Sequence, residues 1–187
     1  MKEPFSSLTF YHSNIYLNII IMLLIITGGI GFLVWGDIGT HKHRIRRYSL
    51  QSKVVLMTSA VLIVLPALYF FFCEYDHETI HDRTIHSLFQ SVTTRTAGFN
   101  TTDLAAMDES GTAIMVILML IGGSPGSTAG GMKTATFAVL FLSAITVFSR
   151  RNDVQCFKRR ISDETVRSAG AVLFMYLVLF FTSGVII

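Results

Sequence analysis

Residues 15–35, 54–73 and 169–187 form three runs without a charged side chain, and a fourth run, 113–149, carries only Lys133. A hydrocarbon core of about 30 Å takes about 20 apolar residues of helix to cross. The first three runs therefore each have the length of a membrane span. Composition agrees, with 51% hydrophobic and 14% charged residues against about 25% charged in a soluble domain. With a net charge of +3, so apolar a chain also lacks the self-repulsion that keeps segments disordered.

Residues 15–35 read as one spanning helix rather than a secretory leader. Their flank holds Lys2 and Glu3 in place of a basic cluster, and no small-residue cleavage site follows. In 54–73, Pro66 predicts a kink that neighbouring helices must compensate. As one helix, residues 113–149 would be about 55 Å long, longer than a bilayer is thick. The run interrupts itself with Gly122, Gly123, Ser124, Pro125, Gly126, Ser127, Thr128, Ala129, Gly130 and Gly131, where five glycines and a proline forbid a continuous helix. The last run stops at Ile187 without a charged or aromatic anchor, so the chain is expected to be cut from something longer.

Lys42, Arg44, Arg46, Arg47 and Lys53 lie between the first two runs, and Arg150, Arg151, Lys158, Arg159, Arg160 and Arg167 between the last two. The stretch 74–112 has only Arg83 and Arg95, against Glu74, Asp76, Glu78, Asp82, Asp103, Asp108 and Glu109. Basic loops stay cytoplasmic, so the acidic stretch and the N-terminus are expected outside. A multi-pass protein of the cell membrane follows. The same distribution accounts for the basic pI without nucleic acid. Cys73 and Cys156 then fall on opposite sides of the bilayer and cannot bridge.

Within the outer stretch, Ile85, Leu88, Phe89 and Val92 have helical spacing over 85–94. Ten residues cannot span, but they suit a re-entrant pore helix that returns as extended backbone through Thr96, Ala97, Gly98 and Phe99. The carbonyl end of such a helix favours a cation. Gly98 frees the backbone to turn successive carbonyls toward one axis, and Thr96 adds a hydroxyl. Oxygen ligands without carboxylates suit a monovalent ion. The bland alternative is a turn after a surface helix.

The strings S-V-T-T-R-T-A-G-F-N (91–100) and G-G-S-P-G-S-T-A-G-G-M-K-T (122–134), in this order and spacing, resemble the Trk/Ktr potassium transporters, related to the plant and fungal HKT and Trk proteins. The resemblance implies an all-α polytopic membrane fold with four repeats of outer helix, pore helix, filter and inner helix. On that mapping, 1–53 holds the preceding inner helix and a cytoplasmic loop. Residues 54–149 are one complete repeat, with outer helix 54–73, pore helix 85–94, filter 95–100 and broken inner helix 113–149. Residues 150–187 begin the next outer helix. The resemblance further implies that Thr96, Ala97, Gly98 and Phe99 are a quarter of a potassium filter, with potassium held at Thr96, Ala97 and Gly98. The glycine-rich break would be the gate beneath it. A homodimer of complete subunits and a cytoplasmic nucleotide-binding regulatory subunit are implied as well. Potassium is then the substrate of a protein that is not an enzyme and needs no cofactor. Two rival readings are a secondary transporter with a substrate site at its broken helix and an inactive truncated membrane protein.

Read physically, small residues with unpaired backbone groups can line a wet cavity, and a glycine-rich segment has a low barrier between arrangements. Close helix packing is the plainer use of such residues. The break is not a phosphate-binding loop, because Met132 stands where the lysine is needed. Lys133 is expected either near the pore, lining the intracellular route or paired with a carbonyl or an acid of the missing repeats, or snorkelling to the cytoplasm. Arg95 is expected to tie the pore helix to an acid, Asp103 being the nearby option. His77, His81 and His86 read as a solvated loop rather than a zinc site, and His41 and His43 as part of the basic loop.

Overall fold

The computed structural model describes residues 7–42, 44–150, 153–157 and 159–186. Lys2, Glu3, His43, Arg151, Lys158 and Ile187 lie outside the described residues. The helices are α1 (Ile15–Ile30), α2 (Phe32–His41), α3 (Leu50–Tyr69), α4 (Ile80–Thr93), α5 (Glu109–Leu120), α6 (Thr134–Phe148) and α7 (Asp163–Ile186). Strands β1 (Gln155–Cys156) and β2 (Arg159–Arg160) pair antiparallel between α6 and α7. The fold is thus all-helical apart from a minimal hairpin.

Among the described residues, two helices are long and apolar enough to cross a membrane, Leu50–Glu74 and Asp163–Gly184, and α1 with α2 makes a third if a bent pair counts as one span. That pair corrects the reading of 15–35 as a single helix. Its halves meet at 93°, with Gly31 between them at φ +89° and ψ +149°. Hydropathy cannot register such a bend, because every side chain through it is apolar or small.

α3 begins four residues before the charge-free run. Ser49 caps it, accepting from the Ser52 N–H at 3.2 Å, and Asp37 accepts from the Ser49 N–H at 3.0 Å and the Ser52 hydroxyl at 2.6 Å. Asp37→Asn weakens both of these charge-assisted hydrogen bonds and is therefore expected to lower the melting temperature in detergent at neutral pH; an unchanged melting temperature would contradict this. At its other end α3 passes Pro66 and finishes as a π-helical turn, Phe70–Glu74.

α4 lies against α3 and α1. It starts earlier than its apolar spacing suggests, because Thr79 caps it by accepting from the Asp82 N–H. Phe89 and Val92 pack with Met22 of α1. Leu62, Phe70, Tyr75, Met115, Leu118, Ile121 and Met132 form a second core joining α3 to α5 and the break. In lipid such clusters gain by dispersion and by interhelical hydrogen bonds rather than by escape from water. Ser91, fully buried, supplies one such bond, donating to the Ile63 carbonyl at 2.6 Å in the turn before Pro66.

Candidate functional site

The chain leaves α4 by wrapping over its carbonyl end. The Thr93 carbonyl accepts from the N–H groups of both Ala97 and Gly98 at 3.1 Å, and the Thr93 hydroxyl donates to the Phe99 carbonyl at 2.8 Å. Asn100 is anchored from the N-terminal side: its N–H donates to the Ser7 hydroxyl at 3.1 Å, and its carbonyl accepts from the Leu8 N–H at 2.9 Å. Between these ties, Thr96 and Gly98 take φ +75° and +74° while Ala97 does not. Gly98 sits at a sign of φ where it is at home. A β-branched threonine there is an outlier that costs about 1–3 kcal/mol and persists because its surroundings over-determine it.

The carbonyls of Thr96, Ala97 and Gly98 accept no hydrogen bond among the described residues, whereas that of Phe99 is already engaged. A cavity of about 220 Å³ has Thr93, Thr96, Gly98 and Asn100 on one side and Met115 and Met119 of α5 on the other. A Cβ built on Gly98 would meet nothing within 4 Å. The structure thus brings Thr96 and Gly98 to one cavity, whereas Ala97 and Phe99 do not line it.

The glycine-rich break is a closed knot, which corrects the expectation of unpaired backbone. Ile121 and Met132 pair as a parallel bridge. The Gly122 N–H donates to the Met132 carbonyl at 2.8 Å, that of Gly123 to Gly130 at 3.3 Å, and that of Thr134 back to Gly123 at 3.0 Å. The buried Thr134 hydroxyl donates to the Ser124 hydroxyl at 3.2 Å, and the Tyr176 hydroxyl of α7 to the Gly131 carbonyl at 3.0 Å. Close approach explains the residue choice: a Cβ on Gly122 would fall 1.6 Å from the Gly130 oxygen, and one on Gly123 2.4 Å from the Ala129 Cβ.

The bend between α1 and α2 grips this knot. Ser124 donates to the Gly29 carbonyl at 3.0 Å, Phe32 to the Gly126 carbonyl at 3.1 Å, and the Thr128 hydroxyl approaches the Gly28 carbonyl at 3.5 Å. Sequence reasoning missed this partner. The available signal was the cluster Gly28, Gly29 and Gly31, short enough to pass for small residues inside one helix.

Three further expectations change. Lys133 does pair with a carbonyl, but one of its own segment: Nζ donates to Ala129 at 2.7 Å. Arg95 has no carboxylate within 4 Å among the described residues; Asp103 instead accepts from the Ala105 N–H at 2.9 Å. Of the three histidines expected outside, His77 is solvated beside Asp76 and His81 is exposed. His86 is buried, its Nδ1 2.7 Å from a Glu78 oxygen and its ring edge-on to Tyr75.

A family model described as TrkH, cation transport protein, matches residues 3–187. The chain is 36% identical over 170 residues to the potassium/sodium uptake protein NtpJ of Enterococcus hirae, covering 88% of this chain and 38% of that protein. It is 37% identical over 161 residues to the Ktr system potassium uptake protein B of Bacillus subtilis, covering 83% and 36%. In fold it resembles the potassium transporter TrkH of Vibrio parahaemolyticus, with a TM-score of 0.70 at 20% identity over 89% of this chain and 37% of that one. The chain thus spans under two fifths of the length of these relatives. With the family model matching it almost from end to end, the chain belongs to the TrkH family of cation transport proteins, a family of transporters rather than enzymes.

Proposed function

We propose that this chain supplies one repeat of a potassium-conducting pore, in which an ion stripped of water passes the carbonyls of Thr96, Ala97 and Gly98. The single observation behind the reading is that these three carbonyls close a run, from Thr94 to Gly98, that accepts no hydrogen bond among the described residues, between the engaged carbonyls of Thr93 and Phe99. A row of unpaired oxygens at the negative end of a buried helix is costly unless a cation completes it, and carbonyls in such a row can replace a hydration shell. The Thr96 hydroxyl is a further ligand, and Phe99 closes the segment.

On this reading α3 is the outer helix, α4 the pore helix, and α5 and α6 the broken inner helix. α1 with α2 ends the preceding repeat, and α7 opens the next. The break from Gly122 to Lys133 is the gate. Because its backbone is largely paired, it opens by exchanging one bonded arrangement for another rather than by slackening. The repeat sits multi-pass in the cell membrane with its N-terminal end outside. The ring of four filter segments is completed by further repeats, within a homodimer carrying a cytoplasmic nucleotide-binding regulator. Uptake proteins named for potassium, and in one case for sodium as well, support the choice of ion.

The test is rubidium and sodium uptake by the complete gene product in cells without potassium uptake systems of their own. Gly98→Ser adds a Cβ at φ +74°, which costs roughly 1–2 kcal/mol and swings the flanking carbonyls. The preference for rubidium over sodium is expected to fall about tenfold or more, since 1.4 kcal/mol is a factor of ten. Unchanged preference at equal protein level would refute the filter assignment.

A further inference from the structure

We propose that Arg95 is a positioning residue of the permeation path: its guanidinium caps the open carbonyl end of α1 and so fixes the 96–98 carbonyls relative to the bend that grips the glycine-rich break. The proposal rests on the reading of 96–98 as ion ligands. Arg95 is 9% exposed. Its side chain makes no hydrogen bond or ion pair among the described residues, and its buried Nε has no acceptor. A guanidinium stays charged at any working pH, and an unpaired charge at membrane depth is expensive, so its donors need a partner that lies within reach.

Arg95 lines a cavity of about 180 Å³ together with Gly29 and Ile30 of α1 and Ser59 and Ile63 of α3. A helix leaves its last four carbonyls without intrahelical donors. At the end of α1, that of Thr27 takes the Trp35 indole N–H at 3.1 Å, that of Gly28 faces Thr128, and that of Gly29 takes the Ser124 N–H. The Ile30 carbonyl accepts from no donor among the described residues. A buried donor and a carbonyl acceptor, each without a partner among the described residues, therefore belong to residues that line one cavity. The charge also suits the negative ends of two helices, α1 and α4, whose C-cap Thr94 precedes Arg95. Contact made directly or through one water ties the residue before Thr96 to the bend holding Ser124 and Gly126. A shift at the break then reaches the ion ligands through one side chain.

Rubidium uptake by the complete gene product, at matched membrane abundance, tests this with Arg95→Gln, Arg95→Lys and Ser59→Leu. A purely structural role lowers the amount of transporter and leaves KM alone. The cap predicts that Arg95→Gln shifts KM about tenfold or more, of the order expected for a charge-assisted hydrogen bond. Arg95→Lys, which can still donate to a carbonyl, restores KM to near wild type. Ser59→Leu crowds the guanidinium out of the cavity and reproduces the shift. Wild-type KM in Ser59→Leu, or Arg95→Lys as impaired as Arg95→Gln, overturns the cap; the latter result points to a bidentate acid partner. Should Arg95→Gln not reach the membrane, the other two variants decide. Gly98→Ser, run in parallel, separates the failures: if it too is silent, the filter reading falls, and if it alone acts, only the cap falls.

Discussion

Gly122→Ala is expected to leave almost no folded protein in the membrane, while Gly130→Ala eight positions on is expected to behave like wild type. The added methyl at 122 would stand 1.6 Å from the Gly130 carbonyl oxygen and 2.6 Å from its carbon, with the Gly131 Cα at 2.9 Å. All three are backbone atoms, so no rotamer change relieves the clash and the two sides of the break must part. Parting them breaks the Gly122 to Met132 and Gly123 to Gly130 bonds and unseats Ile121 and Met132 from the core they share with Leu62 and Leu118. Overpacking of this kind costs about 1–3 kcal/mol, and two lost hydrogen bonds add about 1 kcal/mol each. The sum, roughly 3–5 kcal/mol, is a large part of a domain's usual 5–15 kcal/mol. A Cβ on Gly130 meets nothing within 4 Å, which makes that variant the matched control for glycine removal as such. Detergent-solubilised yield and melting temperature read the difference. Equal stability of the two variants would mean that the knot does not exist.

The contrast between those glycines marks how far the sequence could be read. The apolar runs announced the membrane spans, because charge is intolerable in lipid whatever the fold. Gly98 and the 122–131 cluster stood out because glycine interrupts a helical pattern, although a turn and close helix packing were plainer uses for them. What stayed hidden depended on contacts made at long range. The burial of His86 is set by Glu78 and Tyr75 folding over it, and no local pattern encodes that. Arg95 invited an acid on grounds of charge alone, yet its cavity is walled by α1 and α3, more than thirty residues away in sequence. Backbone strain at Thr96 was likewise invisible, since threonine is an ordinary extended residue until the wrapped end of α4 forces its φ positive. The paired backbone of the break was not legible either, because composition predicts freedom from glycine and says nothing about partners.

The same blindness concealed the α1–α2 bend, and Gly31→Ala tests how much depends on it. At φ +89° and ψ +149°, Gly31 occupies a region essentially closed to other residues, where a side chain costs about 1–3 kcal/mol. Its Cβ would also lie 2.6 Å from the Pro125 oxygen. Residues 15–41 have an escape that the break lacks: with alanine at 31 the strongly apolar segment can continue as one straight helix, the form its hydropathy favours. Straightening sacrifices the Ser124 to Gly29 and Phe32 to Gly126 bonds, so the break loses its grip while each helix survives. The sole tryptophan of the sequence reports on this, because Trp35 reaches back across the bend to the Thr27 carbonyl. Gly31→Ala is expected to retain its helix content by circular dichroism, shift the tryptophan emission and, in the complete gene product, lose transport, the last because the break that we propose as the gate no longer has a fixed partner. Gly36→Ala, where a Cβ meets nothing within 4 Å, should change none of these. If Gly31→Ala keeps both the emission and the uptake of wild type, the bend is incidental, and the break must be held by α5, α6 and α7 alone.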